Sequence, residues 1–253
     1  MQQKKRGIVL KKTPYGDDDL IVHFLTEEGL HLSLFAAGAR KSARRFGTTL
    51  DLFNELEIQY REKNSNLLRI DSAELLTLME GIRKALPKYA AACYFTEMIL
   101  SFLQEREASF VLYKSFREFL ATLNDPAPMD SHLIPLMEHH FLDLFGFKPT
   151  LNRCLDCGKG VSPQSTYFFE GIKGGIVCTP CKAGPKGGSS AEFPLTYNAI
   201  RQILLASPSP EGWKKSALKP LEISQTRKAF EYFIQYTAGR PLKSLQFLSN
   251  ILA

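Results

Sequence analysis

The chain has 253 residues, 44% hydrophobic and 23% charged, which are ordinary globular values with apolar mass for one or two cores. No run approaches the ~18 apolar residues of a membrane span. The opening "MQQKKRGIVL" has too few apolar residues for a secretory leader, so a cytoplasmic protein with no membrane partner is expected. The net charge of +6 is uneven: residues 1–80 hold 12 Lys+Arg against 12 Asp+Glu, and residues 151–253 hold 13 against 6.

The first 75 residues read as strands and turns. "GIVLKKT" (7–13), "LIVHFLT" (20–26), "LHLSLFAAG" (30–38), "LDLFNELEIQY" (50–60) and "LLRIDSAEL" (67–75) are separated by polar segments. Leu30, Leu32 and Leu34 flank His31 and Ser33; Leu56, Ile58 and Tyr60 flank Glu57 and Gln59. This period of two marks half-buried strands. Five strands in so short a segment suit a five-stranded OB-type barrel, with an SH3-like barrel as the rival. Asp17, Asp18 and Asp19 fall in the first turn, where a solvated turn is the plain reading.

From about residue 76 the apolar spacing becomes helical. Helices are expected over 87–105, 109–123 and 130–146, with Pro87 in a first turn, Asp130 as an N-cap and Gly146 as a stop. A Gly- and Pro-rich insert, 148–195, interrupts them. Further helices are expected over 196–207, 224–239 and 242–253. The fold class is therefore α+β: a barrel domain (1–78), then a helical domain (79–253) carrying the insert.

The insert contains Cys154-x-x-Cys157, twenty intervening residues, then Cys178-x-x-Cys181. In a reducing compartment such pairs point to metal rather than disulfides. Two residues between cysteines make a knuckle that turns both sulfurs toward one ion, and two knuckles complete a tetrahedral S₄ shell. "STYFFE" and "GGIVCT" read as a hairpin between them. An S₄ shell leaves no coordination position for water or substrate, so a single structural Zn²⁺ is expected. Cys93, in "AAACYF", reads as a buried thiol.

The chain lacks a phosphate-binding Gly-x-x-x-x-Gly-Lys-Ser/Thr loop and a Gly-x-Ser-x-Gly elbow. His139 and His140 read as packed or edge histidines, so the expectation is a protein that is not an enzyme. Basic clusters are the better candidates. Arg40, Lys41, Arg44 and Arg45 fall in one loop, with Phe46 beside them. Guanidinium groups grip phosphate oxygens and a ring can stack on a base. Lys5, Arg6 and Lys11 can extend the patch; Lys11 and Lys12 point opposite ways on a strand, so only one can join. Arg227 and Lys228, opposite Phe230, Phe233 and Ile234 on a helix, mark a second basic surface.

These segments in this order, "GIVLKKTPYGDDDLIVHFLTEEG", "AAGARKSARRFG", "LDLFNELEI", "CLDCGK", "CTPC" and "GRPLKSLQFL", resemble the RecO family of bacterial recombination mediators. The resemblance covers the whole chain. It implies an N-terminal OB-fold and a helical domain bearing a zinc motif, here on Cys154, Cys157, Cys178 and Cys181. It also implies binding of single- and double-stranded DNA, annealing of complementary strands, and action with RecR to load RecA onto DNA coated by single-stranded DNA-binding protein (SSB). By the same resemblance the protein contacts the acidic, apolar SSB tail and works in the cytoplasm at the nucleoid. Asp17 stands where the family pattern leads one to expect glutamate.

Two other readings compete on the residues alone. One is a zinc-ribbon protein–protein adaptor whose basic loop meets an acidic partner. The other is a sequence-specific regulator, which should show a recognition helix and dimer symmetry.

Overall fold

The computed structural model describes residues 2–41, 46–62, 68–103, 108–184, 191–206, 212–213 and 215–252. The chain forms two compact units, 1–127 and 128–253.

The first unit begins with β1 (Gln2–Tyr15), β2 (Asp19–Thr26), β3 (His31–Ala36), β4 (Glu55–Glu62) and β5 (Leu68–Thr77). They close into a barrel in the order β1-β2-β3-β5-β4, with β1 also paired to β4 and the β3–β5 contact parallel. This is the OB-type arrangement, and it decides against the SH3-like rival. β1 reaches both neighbours because its first half pairs with β4 and its second half with β2. The register slips between Val9 and Lys11; a bulge there bends the strand and sharpens its twist.

Alternation then fills the barrel. Val9, Val22, Phe24, Leu34, Ile58 and Ile70 are fully buried in one cluster. Residues 50–54 are a turn rather than the start of β4. The buried Asn54 holds them: its amide donates to the carbonyls of Thr48 (3.0 Å) and Thr49 (3.2 Å), and its Oδ1 accepts from Met79 N. Phe53 N donates to Val9 O at 2.8 Å, beside the bulge, with Phe53 at φ 72°.

Among the described residues, three helices complete this unit: α1 (Glu80–Lys84), α2 (Leu86–Phe102) and α3 (Phe110–Asn124). Ser109 caps α3, its Oγ accepting from Leu112 N. Glu55, at the start of β4, ties α3 to the barrel. It accepts from Tyr113 Oη (2.8 Å), Arg117 Nε (2.9 Å) and Thr77 Oγ1 (2.9 Å). Burial raises its carboxyl, but these donors prevail and hold it below the usual range.

The second unit contains α4 (Leu133–Leu144), β6 (Tyr167–Glu170), β7 (Gly175–Cys178), α5 (Thr179–Lys182), β8 (Glu192–Leu195), α6 (Tyr197–Leu205), α7 (Pro220–Ala238) and α8 (Lys243–Leu252). The helix expected from Asp130 starts at Leu133. Asp130 Oδ1 accepts from His132 N, making a local turn ahead of the helix instead of its cap. Gly146, at φ 81°, stops α4 as expected, and Phe147 N donates to Leu142 O. α7 starts four residues before the expected Ser224. Pro220 opens it, and Glu222 accepts from Lys219 N (2.9 Å), Thr196 Oγ1 (2.7 Å) and Asn198 Nδ2 (2.9 Å).

Candidate metal centre and nucleic-acid interface

The expected hairpin is present as β6 and β7, with Phe169 opposite Ile176. A third strand, β8, pairs on the other side of β6 and was not foreseen. This small sheet leans on α7 rather than on a core of its own. Phe169 packs edge-on against Phe230 and Phe233, at 5.7 and 5.9 Å between ring centres. At Gly174, which sits at φ 64°, a Cβ would stand 2.6 Å from the Phe233 ring, so no side chain fits in the turn.

The sheet and the knuckles bring the cysteines together. Gly158 N donates to Cys154 O and Cys154 N to Lys159 O, turning the first knuckle, with Gly158 at φ 72°. Leu155 N donates to Ile176 O, fastening that knuckle to β7. Cys178 ends β7, and α5 carries Cys181. The four Sγ atoms lie within 4.8 Å of one another. Cys157 and Cys178 sulfurs are 3.8 Å apart. Four ligands at the ~2.3 Å Zn–S distance, placed tetrahedrally, stand about 3.8 Å from each other. The donor set and its spacing therefore fit a tetrahedral, thiophilic ion.

Electrostatics agree with that chemistry. Burial raises the Cys154 thiol, yet the backbone N–H groups of Cys157, Cys178 and Asp156 outweigh it and bring it down to about 6. Cys181 is pushed up to about 12, chiefly by its hydrogen bonds to Cys178 and Cys157. Cys154 is thus the readiest thiolate, while Cys178 and Cys181 are made harder to ionise; a bound cation removes that penalty. Cys93 stands apart on α2, half-buried, with burial raising its thiol.

The basic loop follows β3. Arg44 and Arg45 lie outside the described residues. Arg40 and Lys41 are exposed, and the first barrel turn holds them. Arg40 N donates to Asp18 O (2.9 Å), its Nη1 reaches Gly16 O (3.3 Å), and Gly38 N donates to Asp19 Oδ1 (2.7 Å). Lys41 pairs with Asp18. The acidic turn is thus a support for the loop rather than a solvated stretch alone. Phe46, expected to be a stacking ring, is instead 2% exposed in the barrel core, because the chain must cover the barrel end as it leaves the loop.

The other basic residues separate. Lys11 is exposed on the outer face opposite His23, while Lys12 turns to Asp51 (2.8 Å). Lys5 is tied to Glu28 at 2.6 Å and Arg6 to Glu57 at 3.4 Å. Lys228 is exposed on α7, but Arg227 is not a solvated-face residue: its side chain is 12% exposed and donates to Glu231 (2.8 Å) and Ser249 (3.1 Å). Both line a pocket of about 440 Å³ with Ser131, Ile223, Ser249 and Leu252. His139 stacks near Phe230, and burial lowers its pKa to about 4, as for a packed histidine. No helix among the described residues is long and apolar enough to cross a membrane.

Comparison with known families agrees along the chain. Residues 1–79 match the model of the Recombination protein O N terminal domain, and residues 83–246 that of its C terminal domain. The chain belongs to the RecO family. Curated relatives include the DNA repair protein RecO of Syntrophus aciditrophicus, 29% identical over 98% of this chain and 95% of that protein. The protein of the same name from Anaeromyxobacter sp. (strain Fw109-5) is 30% identical over 98% of this chain and 96% of its own length. RecO membership thus rests on both units and spans the barrel, the helices and the cysteine ribbon.

Proposed function

We propose that this chain is a DNA repair and recombination mediator. It binds single- and double-stranded DNA, anneals complementary strands and, with RecR, helps load RecA onto SSB-coated DNA, in the cytoplasm at the nucleoid. The observation that carries the reading is an OB-type barrel whose first turn holds Arg40 and Lys41 outward, in a chain of the RecO family. Residues 1–78 are the DNA-binding domain, with Arg40, Lys41, Arg44, Arg45, Lys5, Arg6 and Lys11 at phosphates and Arg227 and Lys228 as a second contact in 79–253. Neutralising phosphates releases counterions and lowers strand–strand repulsion, so two strands can approach without covalent chemistry.

Zn²⁺ held by Cys154, Cys157, Cys178 and Cys181 orders the 148–195 insert; it supplies folding energy and no reaction step. The SSB tail, acidic and apolar, is expected in the helical domain, where Lys228 stands exposed beside Ile223 and Leu252 in a pocket that also holds Glu231.

Fluorescence anisotropy of labelled oligo-dT at about 50 and about 200 mM salt tests the reading. Binding should weaken steeply with salt and tolerate mixed sequence. Arg44→Glu with Arg45→Glu should lower affinity and the salt slope and leave the fold intact. No binding at the lower salt would favour the protein–protein adaptor.

A further inference from the structure

The strand β5 is paired on one side only for most of its length. β3 meets it with Leu34 opposite Leu68 and Phe35 opposite Arg69, and then leaves it. β4 accompanies it on the other side from Leu68 to Thr77. Among the described residues, no backbone hydrogen bond reaches residues 72–76 from outside the β4 ladder. In an antiparallel ladder every second residue turns its N–H and C=O away from its partner. This stretch therefore offers a row of unpaired donors and acceptors along its second edge.

The side chains on that edge are apolar where the barrel wall ends. Ladder partners share a face, and Ala73 and Leu75 lie opposite Ile58 and Leu56, which are fully buried in the barrel cluster. Leu75 is nevertheless 38% exposed, because no strand continues the wall beside it. Leu76, the extra residue of a bulge against Glu55 and Leu56, is 41% exposed. Edges are commonly blunted by proline, charge or a bulge, and the ribbon's β8 carries Pro194. Residues 72–76 hold no proline, and the register slips at Asp71 and Leu76 bracket the regular stretch rather than interrupt it. Their one charge is Glu74, exposed opposite Glu57. Lys4 and Arg6 already neutralise Glu57, whereas Glu74 makes no ion pair among the described residues.

We propose that residues 72–76 are a docking edge for an extended segment of a partner protein with an apolar–basic–apolar pattern, which adds to β5 as a further strand. Its backbone takes the unpaired N–H and C=O groups, as in other cases of strand addition. Its basic residue faces Glu74, and the apolar residues on either side cover Ala73 and Leu75. A second copy of this chain fits less well: antiparallel pairing that sets Leu75 against Ala73 also sets Glu74 against its own copy. A nucleic acid would bring phosphates to the unneutralised Glu74. The edge therefore goes beyond the DNA-binding reading and does not rest on it.

The test uses the full chain and a capped, labelled peptide of alternating Thr and Val with Lys at its centre. Adding the peptide should slow amide exchange at residues 72–76. Glu in place of the central Lys should weaken binding about threefold or more, and Glu74→Lys in the protein should reverse that order. Two further peptides carry N-methyl groups at alternate residues, one on each edge; only the version blocked on the edge that meets β5 should lose binding. No protection of these amides, equal loss with both N-methylated peptides, or an order unchanged by Glu74→Lys would overturn the assignment. Protection by oligo-dT instead of the peptide would give the edge to DNA and overturn it as well. So would protection that appears without peptide as the chain is concentrated, with a dimer in sedimentation, which would give the edge to a second copy.

Discussion

The barrel and the cysteine ribbon are both small β-structures, yet they are held in different ways. The barrel closes on itself and buries an alternating set of side chains in a cluster of its own. The ribbon is an open sheet of three four-residue strands that borrows Phe230 and Phe233 from α7 and gathers four thiols at its end. Where enough apolar surface exists, burial sets the geometry; where it does not, ligation and a neighbouring helix do so.

The largest expected effect breaks the ribbon and spares the barrel. Cys157 is exposed, so Cys157→Ser opens no cavity and acts through the ion. Structural zinc in isolated finger peptides is worth about 10 kcal/mol or more, so soluble yield, melting temperature and bound zinc should fall together. Amide exchange in the barrel should stay slow. A variant as stable as the parent, with no metal in either, would sink the zinc assignment.

The converse experiment breaks the barrel by burial. Phe24 is fully buried in the barrel cluster, and Phe24→Ala should cost about 3–5 kcal/mol. Denaturant melts should show that loss with and without chelator. If chelation changed it, the two regions would not be held independently.

A third change probes the joint between barrel and helix. Glu55→Gln leaves Tyr113 and Arg117 without their carboxylate and should cost about 1–3 kcal/mol at neutral pH. The folded-state pKa of Glu55 is depressed, so its contribution is complete above the unfolded value near ~4.3 and disappears as pH falls through the folded value. Parent and variant stabilities should therefore converge in acid, as urea melts across that range would register. The smallest effect belongs to Lys12, half-exposed against Asp51. Lys12→Ala should cost less than about 1 kcal/mol and fade with salt.

What the sequence made legible follows the same division. The barrel strands show through Leu32, Leu34, Leu56 and Ile58, because a half-buried strand must alternate. The metal site shows through cysteine spacing, because a knuckle has a fixed length. The first residues of β1, Gln2–Arg6, are polar on both faces and carry no such signal. β8 is four residues long and contains Pro194, which marks it down as a strand. Phe46 looked like part of a polar loop until the barrel end needed a cover, and the burial of Arg227 depends on Ser249, far along the chain.

The doubly paired first strand also sets an order of assembly. Gln2 finds its partner at Arg61, and β3 finds β5 only at Leu68. A growing chain can form the β1–β2–β3 meander early, but the first half of β1 stays unpaired until β4 has been made, and the free edge of β3 until β5 has. Closure is thus a late, long-range event, slower than the local helices that follow. Until it happens, the open edge of β3 is the part most exposed to pairing with the wrong neighbour.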